Sequence, residues 1–264
     1  MARAPSAEYL ILDIETIPDT ERWQPPTVVE GEAPPRGAFP PSWAHRVVVI
    51  GCLWLDHGYN VRHLGVIEAT TSGSGTSDER ERALLEELAD LVGTNRQTLV
   101  TFNGRSFDMP VLALRSLCLG VPMRWYYRDH ATRYRYSDQG HLDLCDWLAD
   151  HGATRSTSLD AVARLIGLPG KIGVDGSQVE GLYAAGQLSE IQRYCLADVA
   201  QTALLFLRFR LLQGQLAPAD YRARTNELLA ALAADGRVAG VLEGTNVPHL
   251  LGPAREVVEP SPEA

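Results

Sequence analysis

The chain of 264 residues has only four cysteines, and no two of them form a Cys-x-x-Cys pair. This scatter excludes a zinc ribbon, argues against a disulfide framework and predicts a reducing, cytoplasmic location. No apolar run reaches the ~18 residues that a transmembrane helix needs, so we expect no contact with a membrane. The N-terminal residues also lack the long apolar stretch of a secretory signal.

Basic residues are outnumbered, with 24 Lys and Arg against 33 Asp and Glu, and Lys171 is the only lysine. The net charge of −9 argues against a surface-wide electrostatic attraction to nucleic acid. It leaves room for a local basic groove, because net charge does not report how charge is distributed. The contents of 45% hydrophobic and 22% charged residues are typical of a globular chain with one or two domains.

The first part of the sequence predicts three strands. Residues 9–14 form an apolar run of strand length, and residues 47–54 and 59–67 predict a hairpin around the turn at 56–58. Seven prolines fall within residues 16–42. We expect that segment to be a long insertion without regular helix or central strand.

Helices and strands alternate in the rest of the chain, and start signals mark two of the helices. Thr76 and Glu79 fit a capping box, and Ser158 fits an N-cap. The other predicted elements are strands at 98–102 and 141–144 and helices at 110–119, 191–212 and 221–234. The order predicts an α/β fold, a mixed sheet flanked by helices in residues 1–215, followed by a C-terminal helix and a frayed tail in 216–264.

The first candidate for a catalytic group is the Asp13-Ile-Glu15 sequence at the end of the first strand. Side chains alternate along a strand, so both acids lie on one face. Adjacent carboxylates in a buried strand repel each other and resist desolvation, and a bound cation relieves both effects. Taken alone, the motif also fits a strand that runs out into solvent.

Two further acids follow in the later elements. Asp108 lies between a Gly-containing turn and the helix that Pro110 starts, where it could simply favour the helix dipole. Tyr194 and Asp198 share one face of the long helix, and Asp198 lies among apolar residues without an evident basic partner. The alternative is that Asp198 is exposed and Tyr194 is part of the core.

The predicted sheet order allows these four carboxylates to converge at one edge of the central strands. They come from the first strand, from the end of the fourth strand and from the late helix. Four hard oxygen ligands suit Mg²⁺ or Mn²⁺ and not zinc. The combination therefore indicates a site for divalent cations.

The three motifs resemble the exonuclease motifs of the DEDD superfamily, in its tyrosine subclass. They are most similar to those of predicted 3′–5′ exonucleases related to the proofreading domain of family B DNA polymerases. Further matches are His141-Leu-Asp-Leu144, Ser158-Leu-Asp160 and the Pro-Gly-Lys segment around Lys171. The resemblance covers roughly residues 9–212 and implies an RNase H-like fold.

The resemblance also implies a reaction. Asp13, Glu15, Asp108 and Asp198 would hold two Mg²⁺ or Mn²⁺ ions, and Tyr194 would orient the attacking water. The expected activity is hydrolysis of single-stranded DNA from its 3′ end to nucleoside 5′-monophosphates. The alternatives are an RNA 3′-trimming exonuclease and a catalytically idle module that binds nucleic acid. Whether a polymerase or repair protein is a partner is left open.

Substrate contacts are predicted beside these motifs and in one Arg- and Tyr-rich segment. Residues 123–136 interleave arginines with aromatic residues, as in surfaces that bind single strands, although an edge hairpin fits as well. Phe107 fits either a nucleotide contact or core packing. The candidate substrate-binding residues are Asn103, Arg105, Phe107, Arg133, Arg135 and Lys171.

Overall fold

A five-stranded mixed sheet organises the computed structural model, which describes residues 9–26, 39–69, 75–93, 97–128, 130–171 and 176–252. The strands are β1 (Tyr9–Pro18), β2 (His45–Leu55), β3 (Val61–Val66), β4 (Thr98–Thr101) and β5 (His141–Asp143). Their order is β3-β2-β1-β4-β5. β1 is antiparallel to β2 and parallel to β4, and β4 is parallel to β5. The predicted mixed α/β sheet is confirmed.

Helices cover both faces of the sheet and follow it at the C-terminal end. They are α1 (Ser77–Gly93), α2 (Asp108–Leu119), α3 (Arg124–Arg128), α4 (His130–Arg133), α5 (Leu144–Leu148), α6 (Leu159–Leu165), α7 (Val179–Ala184), α8 (Leu188–Leu212), α9 (Pro218–Ala233), α10 (Ala239–Glu243) and α11 (Val247–Leu251). Among the described residues, no helix combines the length and the apolar character that crossing a bilayer requires.

Successive side chains of β1 point to opposite faces of the sheet and pack against different helices. Leu10 and Leu12 belong to a core with α1 and α2, whereas Ile11 belongs to a core with α8 and α9. Because alternate residues share a face, Asp13 and Glu15 follow Ile11 toward α8. The sheet therefore aims the Asp-Ile-Glu motif at the helix that carries Tyr194 and Asp198.

The residues after 215 add more than the one predicted helix. α9 confirms that helix, and α10 and α11 follow it. Tyr221, Leu228 and Leu250 are buried in the same core as α8. The boundary at residue 215 stays a prediction, and the predicted frayed tail after 252 lies outside the described residues.

Local start signals are confirmed, and two other interpretations are wrong. Thr76 and Glu79 form the capping box, and Ser158 caps α6. The proline-rich insertion was expected from residue 16, but residues 16–18 continue β1 and pair with β2, because long-range pairing overrides the local proline signal. The edge hairpin considered for residues 123–136 does not form, since α3 and α4 occupy the segment.

Candidate active site

The end of β1 brings its two acids against α8. Ligand atoms of Asp13, Glu15 and Cys195 all lie within 4.8 Å of one another. The Cys195 thiol donates to Oδ2 of Asp13 at 3.6 Å. Burial, followed by the charge of Asp13, raises the pKa of Cys195 well above its usual range. Cys195 is therefore a protonated donor that supports Asp13. Sequence reasoning missed it, although it is the neighbour of Tyr194.

Asp108 and Asp198 complete a group of four carboxylates. Burial raises the pKa of Asp13 well above its usual range, and the charges of Asp108, Glu15 and Asp198 add to this effect. Asp108 is the first residue of α2 and is 3% exposed, yet its Oδ1 has no hydrogen-bond partner. The structure thus brings together the four acids that the sequence predicted, and it leaves one buried oxygen atom unsatisfied.

The tyrosine of the third motif binds its acid directly. Burial raises the pKa of Asp198 to about 6, opposed by a hydrogen bond from Tyr194. Burial, then the charges of Asp198 and Glu15, raises the pKa of Tyr194 far above its usual value. The phenol is therefore a donor at neutral pH and keeps its proton. Tyr194 is also only 9% exposed. Its ring is therefore part of the core, as one alternative predicted, while its hydroxyl contacts the acid, as the catalytic alternative predicted.

Lys171 is the basic residue of the group. Its charge lowers the pKa of Glu15 and Asp198, against the larger effect of burial. The backbone N–H of Lys171 donates to Asp160 Oδ1 at 2.7 Å. Gly170 exchanges two hydrogen bonds of 2.9 Å with the side chain of Gln201 on α8. These contacts fix the start of the Gly-rich loop beside the carboxylates.

The turn before α2 is held by Asp143. Asp143 accepts from the backbone N–H groups of Asn103 and Arg105, both at 2.8 Å. Asn103 has a left-handed φ of 67° and is exposed at the rim of the site. The Arg105 guanidinium donates to the His141 carbonyl at 2.6 Å. Arg105 therefore braces the turn from inside, and its predicted contact with substrate stays a prediction.

Aromatic rings lie beside Asp108. The ring of Phe107 contacts His45 edge-on with a centroid distance of 5.0 Å, and Phe39 lies 6.5 Å from Phe107. Phe107 is half-buried, whereas Phe39 is 71% exposed. Sequence reasoning missed Phe39 and His45, because nothing local links the proline-rich segment to the second motif.

Arg133 and Arg135 lie further from the carboxylates. Arg135 and Asn103 line one cavity of about 220 Å³, so Arg135 lies near the turn that precedes Asp108. Arg133 packs over the ring of Tyr127 at 5.3 Å and lines a second cavity. The raised pKa values of the four acids have other causes than the charges of these two arginines.

A pair of divalent cations fits this donor set. The four acids offer hard oxygen ligands, repulsion from the other acids adds to the raised pKa values of Asp13 and Glu15, and one buried carboxylate oxygen lacks a partner. The protonated thiol of Cys195 does not supply the soft thiolate ligand that would favour zinc. Asp13, Glu15, Asp108 and Asp198 are the residues that would hold the ions.

The sheet order is that of an RNase H-like α/β fold, and a family comparison is more specific. Residues 37–242 match the family described as a predicted 3′–5′ exonuclease related to the exonuclease domain of PolB. The match covers most of the chain, and the chain therefore belongs to this family. The matched range contains the second and third motifs but not Asp13 and Glu15, whose assignment depends on the geometry described above.

One solved structure shares the fold at low sequence identity, and a second is similar at a lower TM-score. The family B DNA polymerase of the archaeon Pyrobaculum calidifontis is 18% identical with a TM-score of 0.51, over 86% of this chain and 29% of that chain. Exonuclease I of E. coli, in complex with a dA16 oligonucleotide, is 15% identical with a TM-score of 0.37, over 74% and 43%. The chain thus spans less than half of either protein. None of the curated proteins matches it.

Proposed function

We propose that the protein removes nucleotides from the 3′ end of single-stranded DNA with Mg²⁺ or Mn²⁺ as cofactors. The observation that carries this proposal is the group of four carboxylates, two of them buried and two half-buried, with Tyr194 bonded to one of them. Such a group destabilises the fold unless cations neutralise it, and so its presence calls for a function. An idle binding module would not need to retain the repulsion.

The side chains of the site have distinct tasks in this proposal. When bound, the two cations would lower the pKa of the attacking water and stabilise charge on the leaving 3′ oxygen. Tyr194 keeps its proton and, from its bond to Asp198, orients that water through its hydroxyl oxygen. Lys171 offsets part of the negative charge that would otherwise repel the scissile phosphate.

The rim of the site favours a single strand. Asn103 is exposed, and Phe107 and Phe39 present ring surface beside Asp108. Unpaired bases stack on aromatic side chains, whereas bases within a duplex are already stacked on each other. Among the described residues of the site, no feature selects the sugar, so RNA remains the alternative substrate and DNA our proposal. Four free cysteines agree with the proposed cytoplasmic location.

The deciding experiment is hydrolysis of 5′-labelled single-stranded DNA and RNA of the same sequence. We expect stepwise shortening from the 3′ end with Mg²⁺ or Mn²⁺, no reaction in EDTA, and faster shortening of DNA. Asp13→Asn and Asp198→Asn should abolish the reaction with the fold retained, while Asp235→Asn serves as a control distant in the fold. Equal activity in EDTA would overturn the metal assignment, and faster RNA shortening would overturn the substrate.

A further inference from the structure

Exposed tyrosines and arginines form a surface on α3, α4 and the turn that follows. We define this Tyr/Arg surface by Tyr127, Arg133, Tyr134, Arg135 and Tyr136, which line a cavity of about 390 Å³. The three tyrosines are 57%, 47% and 58% exposed, which is unusual for rings of this size. Tyrosine rings stack on unpaired bases, and arginine binds phosphate through two parallel hydrogen bonds.

The Tyr/Arg surface reaches the turn that leads into Asp108. Arg135 lines this cavity and also the cavity that Asn103 lines. Asn103 begins the turn before Asp108, and the backbone N–H of Phe107 donates to the Asn103 carbonyl at 3.1 Å. A strand with its 3′ end at the carboxylates can therefore pass Asn103 and Arg135 and continue over the tyrosines.

Arg135, which such a strand would contact, is paired with Asp146. Arg135 donates from Nε to Asp146 Oδ2 at 2.9 Å, and its side chain is 49% exposed against 10% for Asp146. His151 contacts the same carboxylate through Nδ1 at 2.9 Å. The guanidinium faces solvent while the acid is covered, so a phosphate that approaches Arg135 meets an arginine whose Nε and Nη2 are already paired with Asp146.

We propose that the Tyr/Arg surface binds the single strand upstream of the scissile bond, and that Asp146 limits this affinity by competing with the phosphate for Arg135. The inference rests on the proposed function and adds to it a path for the strand and a residue that tunes its release. An exonuclease must let its substrate advance after each cut. An arginine that exchanges between an internal acid and successive phosphates meets that need.

Binding tests the inference separately from catalysis. We would measure the anisotropy of a labelled single-stranded oligodeoxynucleotide in EDTA, where no hydrolysis is expected. Asp146→Asn should tighten binding about 3-fold, which corresponds to the free energy of one solvent-facing ion pair. Arg135→Met should weaken binding and reduce the slope of log K against log salt by about 0.7, as for one lost phosphate contact.

A matched ion pair on the opposite side of the fold supplies the control. Arg237 donates from Nε to Asp235 Oδ1 at 2.9 Å and from Nη2 to the carbonyl of Leu64 in β3 at 3.2 Å. Asp235→Asn changes the net charge by the same amount as Asp146→Asn, and it should leave oligonucleotide affinity unchanged. Equal tightening by both variants would reduce the effect to overall charge and overturn the role of Asp146.

Hydrolysis of oligonucleotides of increasing length provides the second measurement. In wild type, kcat/KM should rise with length and then level off once the Tyr/Arg surface is filled. Arg135→Met should lose part of that rise, so the ratio of long to short substrates falls. An equal loss of kcat/KM at every length would show that Arg135 does not act on the upstream part of the strand, and it would overturn the strand path. Length-dependent binding without hydrolysis would keep the path and reject the proposed function.

Discussion

Arg115 donates from Nη1 to Asp19 Oδ2 at 2.7 Å, and neither side chain is exposed to solvent. Arg115 also binds Glu81 of α1 at 2.8 Å and 2.6 Å through Nε and Nη2. Asp19 directly follows β1, and Arg115 lies on the helix that begins with Asp108. This ion pair therefore joins the two elements that supply three of the four carboxylates.

The first prediction concerns the stability that this network provides. Arg115→Met should lower the free energy of unfolding by about 3 kcal/mol, because Asp19 and Glu81 would stay buried without the fully buried cation that binds both, and only Arg22 and Arg46 would remain beside them. Chemical denaturation measures the change. Arg237→Gln, which removes an exposed ion pair, should cost less than about 1 kcal/mol. Equal losses in the two variants would contradict the importance of burial.

The second prediction concerns binding of the cation by the folded protein. Mn²⁺ should raise the Tm of the wild type, because only the folded state assembles the four acids; saturation at 100 times Kd corresponds to about 2.7 kcal/mol. Asp13→Asn should lose most of this increase, and Asp235→Asn should retain it. Calorimetric melting curves with and without Mn²⁺ make the comparison. A Tm increase of the same size in Asp13→Asn would place the ion elsewhere.

The third prediction separates the two alternatives for Tyr194. Tyr194→Phe keeps the buried ring but removes the hydroxyl that donates to Asp198. We expect kcat to fall about 10-fold or more with little change in KM, as for the loss of a group that orients water. Steady-state kinetics on a short oligonucleotide measures both constants. Unchanged kcat would assign Tyr194 to packing alone.

Local signals in the sequence predicted much of the fold and the main acids. Helix caps depend on residues close together in sequence, as at Thr76 and Ser158. The i, i+4 spacing of Tyr194 and Asp198 places both on one face of a helix. The convergence of the four carboxylates also followed, because strand alternation and sheet order constrain where they meet. Each of these inferences needs only the periodicity of one element or the order of several.

Contacts between distant segments could not be predicted in the same way. Arg115 and Asp19 are 96 positions apart, and a charged residue on a helix is normally expected to face solvent. Phe39 approaches Phe107 only because β1 and β2 pair as far as His45. The pairing of Arg135 with Asp146 likewise depends on where α4 and α5 lie relative to each other. Such partners are fixed by tertiary packing.

The last prediction concerns how the free energy of unfolding of the metal-free protein depends on pH. Burial raises the pKa of Asp108 to about 7, so folding takes up a proton at pH values where the unfolded carboxyl is ionised. In EDTA, wild-type stability should therefore fall between pH 5 and 8, on the order of 3 kcal/mol relative to Asp108→Asn. The difference between the two proteins cancels the opposite trend of buried His141, whose pKa burial lowers to about 3. Denaturation at several pH values should show the variant overtaking the wild type, and parallel curves would contradict the raised pKa of Asp108.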